Sequence, residues 1–148
     1  MKRNIIIIVL LLLVIGGFIG FRMFNEKTPD IVNKKPDAVV NAHSLVAAFD
    51  ADTASAVKQY LDKIVEVTGT VKRIDTTGSV ILGEEGMASE VVIGLDRRHM
   101  KDYEKLKIGA PAVMQGVCSG YSKSNGDDLL ASLGTTVELR SAGVKNKN

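Results

Sequence analysis

Beyond its first residues, this 148-residue chain encodes a mainly β domain, five short strands closed into a barrel. Three observations carry that reading. Apolar residues alternate with polar ones in short segments between turn residues from Ile64 to Arg140. One helical segment, Arg97 to Lys107, separates the third strand from the fourth. The two best-patterned strands, Val65-x-Val67-x-Gly69-x-Val71 and Ala112-x-Met114-x-Gly116-x-Cys118, each replace one apolar side chain by glycine.

The first element is not part of that domain. Ile5 to Phe21 is an unbroken apolar run preceded by Lys2 and Arg3 and closed by Arg22. As a helix it measures about 26 Å, close to a hydrocarbon core of roughly 30 Å, and the flanking basic side chains can snorkel to close the difference. No Ala-x-Ala site follows it and no cysteine stands near it, so an uncleaved anchor over 1–24 is preferred to a cleaved signal. Basic residues do not decide the orientation, since Lys2 and Arg3 oppose Arg22, Lys27, Lys34 and Lys35. A basic head directly before the run is, however, the layout of a secretory signal and favours the rest of the chain outside the cytoplasm. With Lys2 and Arg3 set aside, basic and acidic residues are equal in number, so the domain itself is neutral. It has no long-range field to draw in a phosphate backbone.

Residues 25–37 hold two of the three prolines and mixed charge, and read as an irregular tether. A short helical pair follows over 38–62. Asp37 caps a helix carrying Ala38, Ala42, Leu45 and Phe49, and Asp52 caps a second with Ala54, Val57 and Leu61 on one side. The barrel occupies 63–141. Ile64 to Val71 is its first strand, with Val65, Val67 and Val71 inward and Glu66, Thr68, Thr70 and Lys72 outward. Asp75 to Gly78 turns into the strand SVILG, Glu84 to Gly86 turns into EVVIGL, and Asp96 caps the helix with Met100, Tyr103 and Leu106 near one stripe. AVMQGVCSGY is the fourth strand. Asn125-Gly126 is a hairpin turn leading to LLASL and then Thr135 to Arg140, the fifth, with 142–148 left as a flexible tail.

Glycine in a strand interior costs about 0.5 to 1 kcal/mol against alanine, so Gly69 and Gly116 need a reason. A small barrel supplies one, because its long strands coil sharply and other chain segments approach them closely. The order β-β-β-α-β-β is that of the OB-fold. The stretches YLDKIVEVTGTVKRID (Tyr60 to Asp75), VILG (Val80 to Gly83) and KLKIGAPAVMQGVCSGY (Lys105 to Tyr121), with the helices before them, resemble the bacterial tRNA-anticodon-binding-like OB proteins over most of residues 42 to 140. The resemblance implies that architecture and a membrane or lipid anchor, and is uninformative for activity. Members often carry further cysteines, whereas Cys118 stands alone here, so a disulfide expected from the family lacks its second half.

Little in the chain suggests catalysis, and no enzyme activity, cofactor or metal is expected. Cys118 is in phase with Met114 and Gly116 and reads as a small core residue. His43 and His99 lie on different helices without a cysteine or spaced carboxylates beside them, and SNGDD lacks a calcium ligand ladder. OB barrels take ligands on the face of strands 2 and 3 and between the loops joining strands 1 to 2 and 4 to 5. The candidate rim is therefore Lys72, Arg73, Thr76, Thr77, Tyr121, Lys123 and Asn125. This favours a single-pass membrane protein whose extracytoplasmic domain binds a protein or cell-envelope partner, with a structural spacer as a further option. Single-stranded nucleic acid is the alternative and is disfavoured, since such binders pair a basic groove with stacking aromatics and here only Tyr121 offers one.

Overall fold

The computed structural model of the chain describes residues 15–18, 29–75, 77–123 and 134–145. Among the described residues from 29 onward, six strands and three helices follow in order: β1 (Ala38–Asn41), α1 (Ala42–Ala51), α2 (Thr53–Tyr60), β2 (Ile64–Asp75), β3 (Ser79–Leu82), β4 (Glu90–Leu95), a 3-10 helix (Arg97–Lys105), β5 (Pro111–Lys123) and β6 (Thr135–Val144).

Strands β2, β3, β4, β6 and β5 form the closed barrel, because β5 pairs back onto β2. The β4–β6 pair is parallel and the other barrel pairs are antiparallel. One circuit shows the stagger that closure requires. Ile74 lies opposite Val80, Val80 opposite Ile93, Ile93 opposite Leu139 and Leu139 opposite Cys118. The Cys118 N–H then donates to the Lys63 carbonyl, almost a full strand length from Ile74. β2 thus pairs with β5 through residues 64–70 and with β3 through 71–75, with a register shift between Val71 and Arg73.

The two glycines sit where the barrel leaves no room. A Cβ on Gly69 would lie 2.9 Å from the Ala42 Cβ and 3.2 Å from the Leu82 Cβ, so glycine lets α1 enter beside β2 just before β2 changes partner. A Cβ on Gly116 would lie 2.7 Å from the Ala142 Cβ and 3.0 Å from the Arg140 carbonyl oxygen, so glycine lets β6 cross β5 at an irregularity in their pairing. Inside, Val65, Val67, Val71, Val91, Ile93, Met114 and Val137 are buried. α1 turns Ala42, Leu45, Val46 and Phe49, spaced three and four apart, onto the same core. Cys118 is fully buried, and the barrel forms as its pattern predicts.

Several local expectations are corrected. Ala38–Asn41 is not helical but a strand parallel to β2. Asp37 caps no helix: its N–H donates to the Ile64 carbonyl at 2.8 Å and its carboxylate accepts from the Ile64 N–H at 2.8 Å, which aligns the β-branched Val39 and Val40 beside β2. Asn41 caps α1 instead, accepting from the Ser44 N–H at 2.6 Å. Asp52 caps α2 as expected, yet Ala56 and Tyr60 are its buried residues and Ala54 is exposed. The segment after Asp96 is a 3-10 helix, in which three residues per turn eclipse i and i+3. That period suits Met100, Tyr103 and Leu106, all half-buried, and equally His99, Asp102 and Lys105.

The barrel also outruns its expected edges. β6 continues through Val144, with Ala142 fully buried, because Leu95 pairs with Ala142 and Met114 with Val144. Residues 142–145 are therefore part of the barrel, not of a tail. Before β1, residues 29–37 have no helix or strand, as a tether would, but Ile31 and Val32 are buried and tie this strap to the outside of the barrel. Burial of such side chains contributes about 1.5 to 3 kcal/mol each. The apolar run 5–21 lies outside the described residues except for a helical turn at 15–18, as do Asn125-Gly126 and LLASL. Among the described residues no helix is long and apolar enough to cross a membrane.

Candidate functional site

The residues expected to form one rim fall at two ends of β4. The turn after β2, which carries Thr77, adjoins the end where Ser79 faces Gly94. Tyr121 and Lys123 sit near the other, where Lys123 faces Thr135 and Thr136 faces Glu90. A six-residue strand rises about 3.3 Å per residue, so roughly 16 Å separates the two groups. Thr76 and Asn125 lie outside the described residues.

Most of the described rim residues serve the barrel. The Lys72 ammonium donates to the Met87 carbonyl at 2.8 Å and pairs with Glu90 at 3.0 Å, which ties the β3–β4 loop to β2. Lys123 donates to the Asp50 carbonyl at 2.7 Å near the end of α1, and the Thr135 hydroxyl donates to the Asp50 carboxylate. Tyr121 stacks on buried Phe49 at 5.0 Å with the rings tilted by 31°, so its ring covers the end of the core and remains 40% exposed. The Thr77 N–H donates to the Asp75 carboxylate at 2.9 Å within the turn. Arg73 alone among them stands exposed on the strand face, opposite buried Ile81. On that face Lys72 pairs with Glu90, and Asp75 lies two residues along β2 from Arg73. Among the described residues the face carries no stacking aromatic.

The space available to a ligand at the α1 end lies beside this face, not on it. A groove of about 480 Å³ runs between α1, the middle of β2 and the β3–β4 loop. That volume lies within the usual range of roughly 300–1,000 Å³ for ligand sites. His43 and Ala47 form one wall, Thr68 and Thr70 the floor, and Glu84 and Met87 the other wall. Met87 is 45% exposed, an apolar anchor among hydroxyl and carboxylate groups. Gly69 keeps this floor low, since α1 and β3 already meet above it.

The opposite end is polar, and pattern reading missed it. His99 is flanked by carboxylates after all: its Nε2 faces Asp30 at 3.0 Å and its Nδ1 faces Asp102 at 3.2 Å. Burial pushes the Asp30 carboxyl up, but hydrogen bonds from His99 and the Val32 N–H outweigh it and hold the group below its ordinary range. Asp102 behaves likewise, with Lys105 at 2.6 Å and the Val144 N–H at 3.2 Å outweighing its burial. Asp96 is held well down by the Arg98 guanidinium and N–H. Gln115, fully buried on the outer side of β5, donates to the Ile31 and Lys34 carbonyls at 2.7 Å each and accepts from Lys145 at 2.8 Å. Lys145 also pairs with Glu66 at 2.5 Å. The three-residue spacing of His99, Asp102 and Lys105 was the available signal, hidden by the expectation of an α-helix. Asp30 and Gln115 offered none, because Asp30 meets His99 across 69 positions and Gln115 meets Ile31 across 84 only when the barrel has closed. Among the described residues no group of His, Cys, Asp or Glu is arranged to hold a metal ion.

The sequence profile of the tRNA_anti-like family matches residues 1–130. No curated protein sequence matches the chain. Among solved structures, the chain is similar to a protein of Klebsiella pneumoniae subsp. pneumoniae to which the role of a nucleic acid-binding lipoprotein is attributed. The two share 18% identity with a TM-score of 0.50 over 72% of this chain and 91% of that one. It is also similar to asparaginyl-tRNA synthetase of Entamoeba histolytica, at 15% identity and a TM-score of 0.38, over 74% of this chain and 24% of the synthetase.

Proposed function

Because the chain belongs to the tRNA_anti-like family, whose OB-type barrel β2 to β6 form, we propose that it is a membrane-anchored, extracytoplasmic binding module without enzymatic activity. Its ligand is an extended segment of a protein or cell-envelope partner lying in the groove between α1 and the β3–β4 loop. The observation that carries this reading is where the open space lies. The groove beside β2 is lined by hydroxyls, Met87 and carboxylates, while the strand face is short of both positive charge and aromatic rings. Attachment through residues 5–21 takes the place that a lipid has in a lipoprotein, the single cysteine being Cys118 in the core.

Single-stranded nucleic acid is the second reading, favoured by the role attributed to the Klebsiella protein. At 18% identity that likeness extends to the fold. Stacked bases contribute about 1 to 3 kcal/mol each in such binders, and Tyr121 here already stacks on Phe49.

One experiment separates the two. Photo-crosslinkers placed at Ala47 or Met87 of the membrane-bound chain are expected to trap one discrete partner that the same probe at Lys58, on the exposed side of α2, does not trap. In parallel, single-stranded oligonucleotides are titrated at low salt. Binding that grows with oligonucleotide length, falls steeply with salt and is lost in Lys72→Ala with Arg73→Ala would transfer the assignment to nucleic acid. A reporter fused after Asn148 is expected on the outer side of the membrane.

A further inference from the structure

We propose that the strap end of the barrel holds a second site, one for a phosphate group. A cavity of about 490 Å³ lies between the strap and the barrel. Lys34, Lys35 and Asn33 line it from the strap, and Lys105, Lys145 and His99 from the barrel side. The one carboxylate on its wall, Asp102, is already taken up by Lys105, His99 and the Val144 N–H. Lys145 is likewise committed to Glu66 and Gln115. Lys34 and Lys35 are exposed, and neither ammonium has a partner among the described residues. Four lysines and one committed carboxylate line this cavity, and like charges around one space repel each other, a repulsion that a bound anion relieves.

The donor type selects the anion. Lysine ammoniums are compact charges that donate in three directions and accept nothing, which suits a tetrahedral phosphate with several acceptor oxygens. A planar carboxylate is matched better by the fork of an arginine, and no arginine lines the cavity. No aromatic ring other than the His99 imidazole lines it either, so it accommodates one phosphate and not a stacked strand. Because the strap forms one wall, ligand binding and strap docking stabilise each other.

Two sources could supply the group, a phospholipid headgroup or a free phosphate ester. From Phe21 to Asp30 the chain spans at most about 30 Å when extended, so a strap leading to a membrane span would keep the cavity within reach of the headgroups. That source rests on the membrane attachment proposed above, whereas the free-ester source does not.

The test uses the full chain in micelles of a phosphate-free non-ionic maltoside detergent, titrated with inorganic phosphate and with glycerol phosphate at low ionic strength. Lysine Nζ chemical shifts and hydrogen exchange at residues 31–36 are the readouts. Saturable shifts and slower exchange are expected. Lys34→Ala with Lys35→Ala should weaken phosphate binding about tenfold, the loss of two partly exposed charge contacts. The control pair Lys58→Ala with Lys63→Ala should leave it unchanged. Slow exchange in phosphatidylglycerol nanodiscs before any phosphate is added identifies the headgroup as the source. Fast exchange there, slowed by glycerol phosphate, identifies the free ester. Absence of saturable binding at millimolar phosphate, an equal loss in the control pair, or displacement by oligonucleotides with affinity that grows with their length would each overturn the proposal. None of these outcomes depends on the crosslinking at Ala47 and Met87, so failure here and failure of the groove assignment are read separately.

Discussion

Replacing Gly116 by alanine isolates the close crossing of β5 and β6. The added Cβ would lie 2.7 Å from the Ala142 Cβ and 3.0 Å from the Arg140 carbonyl oxygen. Carbon atoms in contact settle at roughly 3.5–4.0 Å, so β6 has to move outward by about 1 Å. It cannot do so freely, because Ala142 is fully buried and also pairs with Leu95 of β4. Overpacking of this kind costs about 1 to 3 kcal/mol, offset by roughly 0.4 to 1 kcal/mol from the stiffer unfolded chain. The net expectation is a loss of about 1 to 2 kcal/mol. Gly94 is the matched control: its added Cβ would have only the Leu139 carbonyl oxygen within 4 Å, at 3.6 Å, and neither glycine has a positive φ. Gly94→Ala should therefore be neutral or stabilising by up to about 1 kcal/mol. Urea unfolding of the full chain in mild detergent, followed by circular dichroism, measures both through the midpoint at constant m. A Gly116→Ala variant within about 0.5 kcal/mol of the parent, or a Gly94→Ala variant as destabilised, would refute the close-approach argument.

Other perturbations address the strap and the rim. Gln115→Leu removes two hydrogen bonds to strap carbonyls, about 1 kcal/mol each, and should speed hydrogen exchange at residues 31–36 by tenfold or more while exchange in β4 is unaltered. Asp30 and Asp102 have folded values held below the ordinary range of about 3.9, so their contribution is present above that value and is lost as pH falls through the lower folded ones. Protection of the strap amides, measured against their intrinsic exchange rate at each pH, should accordingly fall below about pH 4, and Asp30→Asn should flatten that fall. Burial pushes the Cys118 thiol up to about 11, and an alkylating reagent at neutral pH should modify it only as fast as the barrel opens. Rapid labelling of the folded chain would contradict its burial. Thr135→Val should loosen the junction of β6 with α1, seen as faster exchange at Ala47 to Ala51, without altering strap exchange.

The barrel was legible because its strands state their own period. Alternation in IVEVTGTV and AVMQGVCSGY places Val65, Val67, Met114 and Cys118 inward whatever their partners are, and the in-phase glycines report that something must approach closely. The candidate sites were less legible. Lys72, Tyr121 and Lys123 were chosen for type and loop position, and the fold gave them to Glu90, Phe49 and Asp50. A side chain's partner depends on register around the whole circuit, and local pattern does not contain that register.

Sequence by itself determined the five barrel strands, the neutral charge of the domain and the hydrophobic run before it, because these follow from residue type and short-range spacing. Tertiary structure alone decided that Val39 and Val40 extend the sheet beside β2, that residues 31–32 dock as a strap, and that Lys34 and Lys35 line one cavity with Lys105 and Lys145. Each of these joins residues far apart in the chain. Such contacts exist only once barrel closure has brought the two surfaces together.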